Sequence, residues 1–164
     1  MQAEVIQNSG AKAGEAAYYV SRLMYEKHIY EALCDNYKDL YYAHRMLAEI
    51  ENGIRAVLLV RDENIVVGCI HGTWENNGDF VCHIMFKRNV DALQGCLLCE
   101  EAMKKFCREQ KKPFKRIIGN IWEKNRAAII LGKRYGAKVQ KETTSFIWKN
   151  GYFLPCKTLI KEIE

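Results

Sequence analysis

His71 and His83 lie in two stretches dense with β-branched and aromatic residues, Ile65 to Trp74 and Phe80 to Phe86. An imidazole with an unperturbed pKa of about 6.5 can take or give a proton near neutral pH, so both are candidates for acid–base work. Alternation along a strand sends neighbours to opposite faces, and the sequence leaves open whether either ring is buried or exposed. Cys96 and Cys99 form one Cys-x-x-Cys pair, but no second pair and no paired histidines follow at zinc spacing, so no metal site is expected. The seven cysteines are odd in number and scattered, which fits reduced thiols on buried helix faces rather than a disulfide framework. His28 and His44 lack partners at metal-ligand spacing and read as ordinary helix residues.

A basic group, Lys104, Lys105, Arg108, Lys111, Lys112, Lys115 and Arg116, can touch phosphates, yet no aromatic residues interleave it as a single-strand binder requires. It reads as a solvated helix end, and nucleic acid is not an expected partner. The formal charge of +5 mildly favours acidic partners such as nucleotides, coenzyme phosphates or nucleic acid without demanding any of them. Seven of the nine tyrosines fall between Tyr18 and Tyr42, a stripe that reads as core and rim packing and, alternatively, as the border of a substrate cleft.

These side chains need a frame, and the stretch from Phe80 to Ala137 supplies it. Phe80 to Phe86 reads as a strand, followed by a break near Asn89 and an amphipathic helix from Ala92 to Gln110 that Pro113 helps to stop. Arg116 to Trp122 is a second strand, and Asn125 to Tyr135 a second helix closed by Gly136. Strands alternating with helices imply a parallel or mixed sheet, because a parallel return needs a crossover. Ligands in such sheets sit at the carboxyl ends of the strands, here where Phe86 to Gln94 and Trp122 to Arg126 converge.

Before this unit, Glu15 to Ile50 is helical in character, split into two helices at Asp35-Asn36. A meander of three antiparallel strands follows: Ile54 to Val60, Ile65 to Trp74 and Phe80 to Phe86, with turns at Arg61 to Asn64 and Glu75 to Asp79. After it come Ala137 to Lys141, then Thr143 to Lys149 and Tyr152 to Ile160 around the hairpin turn Asn150-Gly151. The expected core includes Ile84, Phe86, Leu97, Ile118 and Leu131. At 164 residues the chain is expected to be one domain, residues 1–164, of the α/β (α+β mixed sheet) class. The amino terminus lacks a signal-peptide pattern and no apolar run approaches the roughly 18 residues of a membrane span, so a cytosolic protein is expected.

This element order, with Asn125, Ala128 and Gly136 at the start, fourth position and end of the last long helix, resembles the GNAT superfamily of acyl-coenzyme-A-dependent N-acetyltransferases. The Val67-Gly68 pair is similar to one common on the family's third strand. The same residues also suit any helix of this length, since Asn is a favoured N-cap and Gly a favoured residue past the end. The resemblance implies acetyl-coenzyme A as cofactor, with Arg88, Gln94 and Gly95 at the pyrophosphate turn, backbone amides near Met85 and Phe86 on the thioester carbonyl, and Asn125 on the pantetheine arm. It implies transfer to an amine of a small molecule or protein, with His83, on strand four, as the candidate base.

The chain departs from the family pattern in two places. The QxxGxG signature of the turn is absent, with Ala92 and Gln94 where its glycines fall, and Asp91 adds a negative charge, so an anion site there requires that carboxylate to point away. The tyrosine that many members carry seven residues after the Asn, able to protonate the leaving thiolate, is replaced by Gly132. Positioning and backbone electrostatics can sustain the transfer without it. A second reading, of another class, is a binding or assembly module that has lost catalysis, similar to degenerate GNAT-like proteins of phage genomes that are described as head-assembly proteins. It implies a protein partner or a homo-oligomer, in the host cytoplasm or the virion.

Overall fold

The computed structural model describes residues 1–8, 10–32, 40–75, 77–140, 145–149 and 152–164. The chain opens with a strand that the sequence reading does not assign, β1 (Gln2–Ile6). Five residues with one alternation carry little signal alone. β1 exists because β2 (Arg55–Asp62) offers it an antiparallel partner, in register from Gln2↔Arg61 to Ile6↔Val57.

The front of the chain is helical as expected, but it is divided differently. α1 (Gly10–Met24) and α2 (Lys27–Ala32) part at Tyr25-Glu26, and α3 (Leu40–Glu51) follows. The expected break at Asp35-Asn36 lies outside the described residues. The meander is as read: β2, β3 (Ile65–Trp74) and β4 (Asp79–Phe86) pair antiparallel. The central unit also follows the sequence closely, with α4 (Ala92–Glu109), β5 (Arg116–Trp122) and α5 (Arg126–Arg134). Short β6 (Lys138–Val139) and then β7 (Ser145–Lys149) and β8 (Tyr152–Glu162) complete a mixed eight-stranded sheet in the order β1-β2-β3-β4-β5-β8-β6, with β7 paired to β8. The turn at Asn150-Gly151 lies outside the described residues.

Alternation on β2 shows how the sheet is buried on both sides. Val57 and Leu59 join Cys69 and Met85 under α1 and α3, while Ala56, Leu58 and Val60 join Ile70, Phe80 and Cys82 under α4. Of the expected core residues, Phe86 is buried, and Ile84, Ile118 and Leu131 are partly so. Leu97 is not a core residue: at 48% exposure it lies on the outer side of α4, because Cys96, Cys99 and Met103 define the buried stripe. The six described cysteines are free and buried, and Cys34 lies outside the described residues. No helix among the described residues is long and apolar enough to cross a membrane.

Candidate active site

β4 and β5 run parallel but pair only at Asp79↔Arg116, Phe80↔Ile117 and Val81↔Ile118. Past that point each strand keeps its other neighbour: β4 stays on β3 as far as Gly68↔Phe86, and β5 stays on β8 as far as Trp122↔Cys156. The sheet therefore opens as two intact halves. At the apex the buried Asp79 carboxylate takes Nε and Nη2 of Arg116, the first at 2.7 Å, and these bonds hold the Asp79 pKa below its ordinary value. Across the gap, the facing edges of β4 and β5 carry backbone N–H and C=O groups that have lost their strand partner.

The gap is a cleft of about 120 Å³. β4 contributes Cys82, His83 and Ile84, and β5 contributes Ile117 and Gly119 to Trp122. Leu159 and Lys161 of β8 line its far wall, and α5 covers it with Asn125, Ala128, Leu131, Gly132 and Tyr135. Asn125 is the N-cap of α5, its Oδ1 accepting from the Ala128 N–H at 3.2 Å, and Gly136 adopts φ +96° just past the helix end. A Cβ on Gly132 would stand 2.4 Å from Leu159 Cδ2, so a larger residue there requires that methyl to shift. Tyr135 is buried, and its hydroxyl has no hydrogen-bond partner among the described residues. Burial, and then the nearby Glu100 carboxylate, push its pKa up. Lys161 lies 3.9 Å from the centre of the Tyr135 ring and forms an ion pair with the buried Glu100, whose ionisation burial opposes and Lys161 and Lys104 restore.

The turn from β4 into α4 shows what Asp91 and Gly95 do. Asp91 does not point away from the helix: its carboxylate caps α4 by accepting from the Gln94 N–H at 3.0 Å. A side chain thus supplies negative charge at the positive helix end, while the first N–H groups, those of Ala92 and Leu93, still have no intrahelical acceptor. Asn89, with φ +63°, turns the chain into this position, and the Arg88 and Gln94 side chains are exposed. Gly95 is buried, and its lack of a side chain serves a neighbour. A Cβ there would come within 2.4 Å of the Phe86 ring, and one on Gly68 within 2.1 Å, so two glycines from β3 and α4 form the slot that holds Phe86. The Phe86 carbonyl lies 3.0 Å from His28 Nε2, which ties α2 to the end of β4.

His83 lines the cleft on the face of β4 that looks toward α1 and α3, and it stacks on His71 with ring centres 5.2 Å apart. Arg55 Nη1 lies 2.9 Å from His71 Nδ1 and its Nε 2.7 Å from Glu49. A guanidinium only donates, so His71 Nδ1 accepts and its proton sits on Nε2, which has no hydrogen-bond partner among the described residues. Burial, reinforced by Arg55, lowers the His83 pKa to about 4, and burial lowers that of His71 well below its ordinary value. Both imidazoles are neutral at neutral pH.

No family model matches this sequence, and no curated protein sequence matches it significantly. Solved structures do match over nearly the whole chain. An acetyltransferase of the GNAT family from Streptococcus pneumoniae superimposes with a TM-score of 0.70 at 17% identity, covering 99% of this chain and 100% of its own. Spermidine N-acetyltransferase from Vibrio cholerae, in complex with coenzyme A and spermine, gives 0.73 at 11% identity, over 98% and 95%. An acetyltransferase from Salmonella typhimurium that modifies the N-terminal serine of a ribosomal subunit protein gives 0.74 at 11%, over 100% and 96%. The chain has the GNAT fold.

Within this fold the sequence candidates divide into two groups. His83 and Asn125 share the cleft, and Phe86, Arg88, Gln94 and Gly95 gather at the turn beside it. The Met85 side chain is buried in the α1 and α3 core and its backbone faces Cys69 on β3, in phase with the Lys87 N–H that donates to the Val67 carbonyl, so the N–H groups of the gap-facing β4 edge are those of Ile84 and Phe86. Tyr135, three residues past Gly132, is not assigned the missing tyrosine's role by the sequence reading because it falls on a neighbouring part of the helix, yet it lines the cleft. Lys161 and His28 arrive from elements distant in sequence and no spacing announces them.

Proposed function

We propose that this protein is an N-acetyltransferase that takes its acyl group from acetyl-coenzyme A and passes it to an amine of a small molecule or protein. The observation that carries this reading is the opening between β4 and β5, whose parted strand edges and apolar lining fit an amide-containing arm such as pantetheine. The residues at the turn fit less evenly: Ala92 and Leu93 N–H groups and Arg88 suit a pyrophosphate, while the Asp91 carboxylate repels it. When bound, the coenzyme supplies an activated thioester acyl group.

The remaining work belongs to the chain itself. N–H groups of the β4 edge at Ile84 and Phe86 orient the acyl oxygen and stabilise the charge that develops on it. His28 holds the Phe86 peptide, and the Gly68–Gly95 slot holds its ring, so this edge is fixed in advance. His83, neutral and facing the cleft, accepts the proton that the amine loses. A base whose conjugate acid has a pKa of about 4 pulls weakly on a free ammonium, so the amine reaches it uncharged, a form that desolvation in the cleft favours.

Release of free thiol from acetyl-coenzyme A, followed with a polyamine, a peptide N-terminus and small primary amines as acceptors, tests the reading. One acceptor class is expected to raise release and to appear as its acetylated product, and His83→Gln is expected to lower kcat by about 10²-fold. Release no faster than the uncatalysed rate with every acceptor, and without saturation by coenzyme, would leave a non-catalytic binding or assembly module.

A further inference from the structure

Behind the cleft lies a second, smaller cavity of about 10 Å³. The two adjoin, since Cys82, Ile84, Ile117 and Tyr135 line both. Resting on the acyltransferase reading above, we infer that the chain accepts propionyl and butyryl donors in preference to acetyl, seating the added methylenes in this second cavity.

Three observations support it. The small cavity is walled by Leu58, Ile70 and Phe80 of the sheet, by Cys99 and Met103 of α4, and by Phe114, with Glu100 and Tyr135 at its border. An apolar space of this size, about one water-sized sphere, gives a water too few hydrogen bonds and takes a hydrocarbon group instead. It adjoins the cleft on the side of Cys82 and Ile117, deeper in the opening than the Ile84 and Phe86 edge assigned to the acyl oxygen, so a chain extending from the thioester runs toward it. The thiol at the junction does not intercept the acyl group: burial pushes the Cys82 pKa up to about 12, so it stays protonated and unreactive. The upper limit is set by volume, since a space of about one water-sized sphere between Phe80 and Met103 holds only a short extension.

The test is a calorimetric series on the whole chain with coenzyme A and its acetyl, propionyl, butyryl and octanoyl thioesters. Affinity is expected to rise about fourfold from acetyl to propionyl, as one buried methylene provides, to hold or rise again at butyryl, and to fall at octanoyl. Cys99 lines the small cavity and not the cleft, so Cys99→Leu is expected to abolish this gain while leaving free coenzyme A binding within about twofold. Should that variant fail to fold, the series on the unaltered chain decides alone. Coenzyme A binding with an affinity that is flat or falling from acetyl to butyryl would overturn this inference and leave the transferase reading standing. Absence of coenzyme A binding would overturn both.

Discussion

Gly95 shows how a residue can be found by sequence and still be read for the wrong neighbour. In the sequence it stands in a turn where glycine lets a phosphate approach; in the structure its missing Cβ makes room for Phe86, and Gly68 does the same from the other side. Gly95→Ala is therefore expected to destabilise the ligand-free chain by about 1–2 kcal/mol, the overpacking strain less what alanine returns in helix propensity. Thermal unfolding should register this as a fall of about 2–8 °C, and an unchanged midpoint would show that the ring moves aside freely. His83 makes a second expectation. Its pKa is about 4 in the folded chain and about 6.5 when unfolded, so the unfolded state binds the proton more tightly between those values. Its contribution is complete above about pH 6.5 and is lost as pH falls toward about 4, on the order of 3 kcal/mol in all, with buried His71 acting in the same direction. Urea unfolding at pH 7 and pH 5 should show a stability loss that His83→Gln makes smaller; an identical loss in the variant would place the effect elsewhere. Residue type put His83 forward and the family resemblance Asn125, and both line the cleft, but neither announced the slot around Phe86 or the His28 bond, because those depend on contacts between residues far apart in sequence.

The elements were legible where their hydrophobic period was long. α4 and β5 match the sequence reading almost residue for residue, since eighteen residues with an apolar stripe and seven with dense β-branching leave little choice. β1 was not legible, because a five-residue edge strand is decided by its partner, and the α1–α2 boundary was not, because Tyr25 and Glu26 carry no glycine or proline to mark it. Leu97 was misplaced because α4 has apolar residues on more than one side, and only the sheet beneath it selects the buried stripe. At the start of the same helix, Asp91 serves as cap and as internal anion together. Asp91→Asn keeps a good cap and removes the charge, so stability is expected to change by less than about 0.5 kcal/mol while coenzyme affinity rises several-fold, most clearly at low salt. A tighter complex that fails to appear would mean that the phosphates do not reach this helix end.

For the whole molecule, the decisive feature is that one sheet divides into two halves that stay joined only at the base. The sequence predicts parallel strands from the helix between them and a cleft where the ends of Phe80 to Phe86 and Arg116 to Trp122 splay; the structure shows how that separation is kept, with β4 remaining on β3 and β5 on β8. The Asp79–Arg116 pair holds that base, and Asp79→Ala is expected to cost about 1–3 kcal/mol by stranding the guanidinium and freeing the strands. A chemical-denaturation midpoint equal to that of the unaltered chain would remove the pair from this role. The central claim, that the opening above this base receives a coenzyme arm, is tested most directly by titrating the chain with acetyl-coenzyme A in a calorimeter at moderate salt. Saturable one-to-one binding is expected, with a Kd on the order of 10–100 µM given the opposing charge of Asp91. No measurable heat with coenzyme in the millimolar range would contradict the claim.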